Sequence, residues 1–416
     1  MQWSKLKEKF WRPALLRLTF AIAIQAFLAL LFDLVGLGVG SSATFLFLNQ
    51  ATPLVILLYP PLLATDGGIG ILVSGLGTGL HLGNIKPNYP KNTQKYSTLM
   101  GAVLTIGTLN ALTIGILSYI TNLVSLGSNR ILNPIPFFII PILTLAMASL
   151  FSSQISSILA FFMFKKKLNP DIWVYPTMST INNLFTTLLY AGIVAIIKPQ
   201  KWASNGITKV TYFFLIPVIL YFAFIIFLVI KNVKKVAYRK ILKQALPIQS
   251  ITITINSFTG GILSKAELAL KNLPQLFLIY PALIDTLGDE CSIFANAIST
   301  DLSLGTAEPK VAAIKDEDVW TDFIGIGLAG VALHIVYAFS ASLITWTAKG
   351  MGLTILIVLI INILGYLIVQ FLTFLLLIVS FKRGLDPDNF SIPIVASLSN
   401  LVISTLILVL TIIFGI

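Results

Sequence analysis

A chain of 416 residues with a formal net charge of +12 is 56% hydrophobic and only 11% charged, less than half of the roughly 25% charge found in water-soluble domains. That composition excludes an ordinary soluble enzyme. It predicts an all-α integral membrane protein, because apolar runs of about 20 residues or more, each able to cross a hydrocarbon core about 30 Å thick, recur along the whole length. The positive charge does not point to nucleic acid, since Lys and Arg sit in short segments beside apolar runs, where they set orientation.

In chain order, a basic amphipathic start, MQWSKLKEKFWR, leads into an uncleaved first span from about Pro13 to Gly38. The second span, about Thr44 to Thr65, carries Pro53, Pro60 and Pro61 and stops in Asp66-Gly67-Gly68, a pattern that predicts a broken helix. Ile69 to Gly83 is too short to span regularly and is rich in small residues, so irregular backbone shielded by protein or a wet cavity is expected there. Three long runs follow at Ser97–Asn122, Pro134–Phe164 and Ile172–Ile197, then a solitary run at Tyr212–Ile230. The rest gives Ile241–Leu263, unusually polar, then Leu273–Thr286 with a second broken stretch to Gly305, and finally Phe323–Thr347, Leu353–Phe381 and Phe390–Phe414. Cys291 is the only cysteine and reads as a small packing residue.

The chain repeats itself. Tyr59, Pro60, Leu62 and Thr65 fall on Tyr280, Pro281, Leu283 and Thr286 at an offset of 221, and Thr78, Leu82, Gly83 and Pro87 fall on Thr300, Leu304, Gly305 and Pro309 at 222. Asn169-Pro170-Asp171, Pro176 and Asn183 fall on Asp386-Pro387-Asp388, Pro393 and Asn400 at 217. Two nearly equal offsets held over more than a hundred residues argue for duplication of a whole half-molecule. The expected organisation is a first five-helix repeat over 1–209, a connecting transmembrane helix with a basic loop over 210–240, and a second five-helix repeat over 241–416. An odd connector keeps both copies in one orientation, so the repeats should be parallel and related by a pseudo-two-fold axis along the membrane normal. Charge agrees: with the N-terminus cytoplasmic and the C-terminus outside, 21 of the 28 Lys and Arg residues fall on inner segments and seven on outer ones.

Ionisable residues at membrane depth are costly, about 2.5–3.5 kcal/mol at a helix centre on insertion scales, and are functional candidates for that reason. Here they are Asp33, Asp66, Asp285, Asp289, Glu290 and Asp301, with Asp66 and Asp301 close enough to the inner interface to be simply wet. An offset of 223 pairs Asp33 with Asn256. Asn183 and Asn400, each seven residues beyond a proline, would meet across the axis if the symmetry holds; an isolated asparagine would merely tie helices together. His81 and His334 do not map onto each other and lack a ligand-spaced partner. No serine, histidine and carboxylate set stands at matching depths, so neither an enzyme nor an organic cofactor is expected.

At these residues the sequence resembles the MgtE-type magnesium transporters, and more closely their duplicated relatives in the solute-carrier divalent-cation family. The resemblance rests on the helix break at Pro60 to Gly68 and its copy at Pro281 to Asp289, on Leu-His-Leu-Gly at Leu80 to Gly83, and on Asp386 to Pro393 with its copy at Asn169 to Pro176. It implies a cation pore enclosed by two five-helix units, Mg2+ as the transported ion, membrane lipid as partner, and no need for a second chain. The family's pore carboxylate falls on Asn183 and Asn400, and the asparagine of its glycine-glycine-asparagine break falls on Gly68 and Asp289. Asp285, Asp289 and Asp301 are then the residues that would restore the missing charge. The bacterial members carry cytosolic sensing domains before the first helix; the short start here leads to the expectation that such gating does not operate. Two other readings stay open: a secondary transporter of an organic or other ionic solute, and a non-transporting membrane scaffold.

Overall fold

The computed structural model describes residues 13–35, 58, 62, 66–125, 133–197, 209–272, 274–344, 351–389 and 391–415, and every regular element among them is helical. In chain order the helices are α1 (Pro13–Leu30), α2 (Asp66–His81), α3 (Gln94–Ser125), α4 (Pro134–Lys165), α5 (Pro170–Ile197), the short α6 (Lys209–Phe213), α7 (Leu215–Asn232), α8 (Val236–Asn272), α9 (Pro274–Leu304), α10 (Glu317–Ile344), α11 (Met351–Lys382) and α12 (Ser391–Phe414). Eight of them, α1, α3, α4, α5, α7, α10, α11 and α12, are long and apolar enough to cross a membrane. The chain is a multi-pass all-α membrane protein. The run proposed at Thr44–Thr65 lies outside the described residues apart from Leu58 and Leu62, both buried.

Local chemistry sets the helix ends, and it does so twice. Asn169 Oδ1 accepts from the Asp171 amide at 3.0 Å, with Pro170 as the first residue of α5; Asp386 Oδ1 accepts from the Asp388 amide at 3.3 Å ahead of α12. Both are side-chain caps on amides that a helix start leaves unpaired, and proline suits the first position because its missing N–H is not needed there. At the opposite ends, Gly83 and Gly305 have φ of +68° and +76°, and Lys167 and Gly384 have +59° and +69°. These left-handed residues stand at the repeat offsets of 222 and 217 and let the chain turn out of its helix.

Two expectations are corrected. The second broken stretch does not exist: α9 is one unbroken helix from Pro274 to Leu304. Its apolar stripe, Leu283, Leu287, Cys291, Phe294 and Ile298, is fully buried, and α5, α10, α11 and α12 pack around it. With its hydrogen bonds internal and its sides sheathed, Gly288 and the neighbouring acids do not interrupt it. Likewise Asp66 to His81 is a regular helix, not irregular backbone, while the residues just before Asp66 lie outside the described ones. The polar α8 runs longer than its apolar core because its polar side chains have protein partners: Gln249 accepts from Asn110 of α3 at 2.9 Å, and Tyr238 pairs with Thr105 at 2.8 Å.

The halves interlock. The opening helix of each packs on the third helix of the other, α1 on α10 and α8 on α3, while α9 lies against α5 and α2 against α12. Ala26, Ala29 and Leu30 of α1 belong to the same core as Leu333 and Tyr337 of α10. At the α1 contact, a Cβ on Gly325 would come within 2.9 Å of the Thr19 carbonyl, so only glycine admits this approach. Helix α7 packs on α3 and α4 and leaves Ile216, Ile219, Leu220 and Ile230 exposed.

Candidate functional site

A short 3-10 turn, Leu31–Asp33, ends α1 and places Asp33 in full burial. Thr180 of α5 donates to its Oδ1 at 2.8 Å, and Thr286 of α9 donates to its Oδ2 at 3.0 Å. Tyr337 of α10 then donates to Thr286 at 2.6 Å, since the threonine hydrogen is already committed. Asp289 also reaches Asp33 by a side-chain hydrogen bond, and Asp285 stands within electrostatic range of it. Asn183 of α5 donates to Asp285 at 3.1 Å, and its own Oδ1 has no partner among the described residues. Three carboxyl groups from both halves of the chain thus converge on one face of α5.

The repeat-related positions hold the neutral version of this seam. Asn256 donates to Ser397 at 3.0 Å and accepts from Asn400 at 2.7 Å. In the sequence Asn256, Ser397 and Asn400 stand for Asp33, Thr180 and Asn183, while Asp285 and Asp289 have Ala64 and Gly68 as counterparts. Asn183 and Asn400, which would meet across the axis if the symmetry holds, each donate within their own seam, to Asp285 and to Asn256.

Two cavities lie among the described helices. The first, about 190 Å3, is lined by Asp171 of α5, Asp301 of α9, Asp322 of α10 and His81 of α2. His81 Nε2 lies 3.7 Å from Asp171, and a Cβ on Gly77 would collide with the same carboxylate. The second, about 440 Å3, is lined by Asp386 and Asp388 but also by Lys95 and Lys240. Burial and the neighbouring Asp388 push the Asp386 carboxyl up to about 6, against the pull of Lys240. Asp388 accepts from Ser74 at 2.8 Å and from Ser299. Ile71, Gly75, Thr78 and Leu82 line the second cavity where Ile293, Ala297, Thr300 and Leu304, at an offset of 222, line the first. One mouth is therefore acidic and the other offset by lysines.

The residues singled out from the sequence sort accordingly. Asp33, Asp285, Asp289 and Asn183 come together; Asn400 lies in the neutral seam; Asp301 is half-exposed at the acidic mouth; the Asp66 side chain lies outside the described ones. Asp171, Asp388 and Asp322 were missed, although the recurrence of Asp171 and Asp388 at 217 was legible. A further polar group stands off the seam: Asn362 donates to Glu290 at 3.0 Å, and His334 Nδ1 donates to the Gly330 carbonyl at 2.9 Å, all fully buried. Among the described residues no group of three or more His, Cys, Asp and Glu side chains forms a metal cage.

The family profile described as MgtE, divalent cation transporter, matches residues 59–193 and again 280–411. No curated protein matches the chain. Among solved structures, a eukaryotic MATE transporter, AtDTX14, aligns over 96% of each chain at 11% identity, with a TM-score of 0.35 that is too low to carry an argument.

Proposed function

The chain belongs to the MgtE divalent cation transporter family, and from that premise we propose that it moves a divalent cation, Mg2+ foremost, along the seam between α1, α5 and α9. The observation that carries this reading is the meeting of Asp33, Asp285 and Asp289 at the hydroxyl of Thr180 and the amide of Asn183. From the acidic mouth at Ile22, Asp171 and Asp301, the same three helices reach Asp33, Thr180 and Asp289 nine to twelve residues further on, roughly 14–18 Å at 1.5 Å per residue.

Oxygen is the donor this seam offers, which suits a hard cation; Mg2+ sheds water reluctantly and is held through a carboxylate or two with several waters kept. The lack of a closed cage among the described residues fits an ion that must leave as readily as it enters. An arriving cation takes oxygen ligands from the Asp33 and Asp289 carboxyl groups, and the Asn183 carbonyl oxygen, which has no partner among the described residues, supplies a further one. Following the basic-residue asymmetry, the acidic mouth faces the cytoplasm of a cell-membrane protein. The duplication supplies both halves, so a single chain suffices.

The test is flux into liposomes loaded with a magnesium-sensitive dye. The wild type admits Mg2+, and Asp33→Asn or Asp285→Asn slows entry by about tenfold, the effect of roughly 1.4 kcal/mol, whereas Asn256→Ala in the neutral seam stays within about twofold. A double Asp33→Asn, Asp285→Asn variant transporting at the wild-type rate would overturn the seam. Absence of flux of Mg2+, Mn2+ or Co2+ through the wild type would overturn the function.

A further inference from the structure

A groove of about 690 Å3 opens between the first turns of α8, the last turns of α11 and the start of α12. Its walls are apolar, with Ile248, Leu376, Val379 and Ile394, and Val236 and Val379 are exposed at its edge. The charged groups in its lining are Arg239, Lys240, Lys243 and Arg383, with no acidic residue among them. None of the four forms a salt bridge with a described residue. Arg239, Lys240 and Lys243 share one face of α8, at three- and four-residue spacing.

Their position is unfavourable for the helix itself. Arg239 lies in the first turn of α8 and Lys240 directly after it; that turn has no acidic residue, and the positive end of a helix dipole repels cations there. An anion in the groove would relieve this repulsion and that among the four side chains. The groove also lies where the apolar α11 gives way to Lys382 and Arg383, the depth at which lipid headgroups meet acyl chains.

We propose that this groove is a binding site for an anionic phospholipid, its phosphate among Arg239, Lys243 and Arg383 and the start of its acyl chains along Leu376, Val379 and Ile394. Chemistry selects this occupant over a soluble phosphate because most of the groove wall is apolar, and over a zwitterionic lipid because four cations line it with no acidic residue among them. Basic pockets between transmembrane helices bind acidic headgroups on this principle. Lys240 links the groove to the ion path's neighbour: it lines both this groove and the cavity holding Asp386 and Asp388. A bound phosphate competes with those carboxylates for the Lys240 ammonium. The proposal does not depend on which ion is moved.

The experiment is native mass spectrometry of the full chain in detergent with phosphatidylglycerol, phosphatidylcholine or inorganic phosphate added. One phosphatidylglycerol is retained by the wild type, and neither of the others is. Each basic residue removed weakens retention by about fivefold, so Arg239→Gln with Lys243→Gln and Arg383→Gln loses it by about a hundredfold. Val379→Trp, which fills the apolar wall without touching a charge, weakens it as well. The control, Lys165→Gln with Lys166→Gln and Lys167→Gln, removes three charges from another loop and stays within about twofold. Equal loss in the control, equal retention of phosphatidylcholine, or an unchanged triple groove variant would overturn the site. All substituted side chains are exposed, and melting without lipid checks that each variant is folded.

Discussion

Asn183 and Asn400 occupy matching positions seven residues beyond Pro176 and Pro393, yet their electrical settings are opposite. Asn183 donates to a carboxylate; Asn400 donates to another amide, that of Asn256. A new charge a few ångströms from a cation is worth about 4 kcal/mol or more at an effective dielectric near 20, but only if the cation comes there. Asn183→Asp is therefore expected to lower the Mg2+ concentration for half-maximal flux by at least about fivefold, and Asn400→Asp to leave it within about twofold. Concentration series on both variants in proteoliposomes decide the matter. Equal shifts would place the ion on the axis between the two amides and would leave Asp33 and Asp289 as a structural pair.

At the scale of elements, the same backbone devices end the same helices in each repeat. Gly83, Gly305 and Gly384 hold positive φ with nothing within 4 Å of an added Cβ, so the penalty for a side chain there is conformational alone, about 1–2 kcal/mol. Gly83→Ala and Gly384→Ala should each lower thermal stability by about 1 kcal/mol while leaving the hydrophobic core unchanged; melts of the purified variants measure this. No loss at either position would mean that the turn is not held in the native state. Glycine suits these turns, but as a sequence signal it misled over the middle of α9. Gly288 and Asp289 resemble a helix break in sequence, and only the burial of Leu283, Leu287, Phe294 and Ile298 against four neighbouring helices shows why the helix continues. The polar face that sets α8 apart in the sequence is explained by Asn110, Thr105 and Ser397, partners from distant parts of the chain.

For the whole molecule, the exchange of α1 and α8 between halves means that neither half closes its core alone, because α1 fills the core built from α9 to α12. The parallel arrangement proposed for the repeats requires Lys166 and Lys235 to lie on one side of the membrane and Lys349 on the other. Single-cysteine labelling in a Cys291→Ala background, with reagents that do not cross the bilayer, should modify positions 166 and 235 from the cytoplasmic side and 349 from outside. Labelling of 166 and 235 from opposite sides would refute the connector argument and with it the shared orientation of the halves.

The membrane class, the helix inventory and the duplication are written in local properties, namely run length, charge and recurring residues, which need no third dimension to act. The caps at Asn169 and Asp386 and the turns at Gly83 and Gly305 belong with them. Which carboxylates meet is a different kind of fact. Asp33 and Asp289 are 256 positions apart, and their meeting depends on α1 crossing to the second half and α9 lying against α5. The sequence by itself determined that two near-equal halves exist and that acids lie deep in the membrane. Packing alone decided that those acids gather in one seam, because a charge acts over a few ångströms of space and not along the chain.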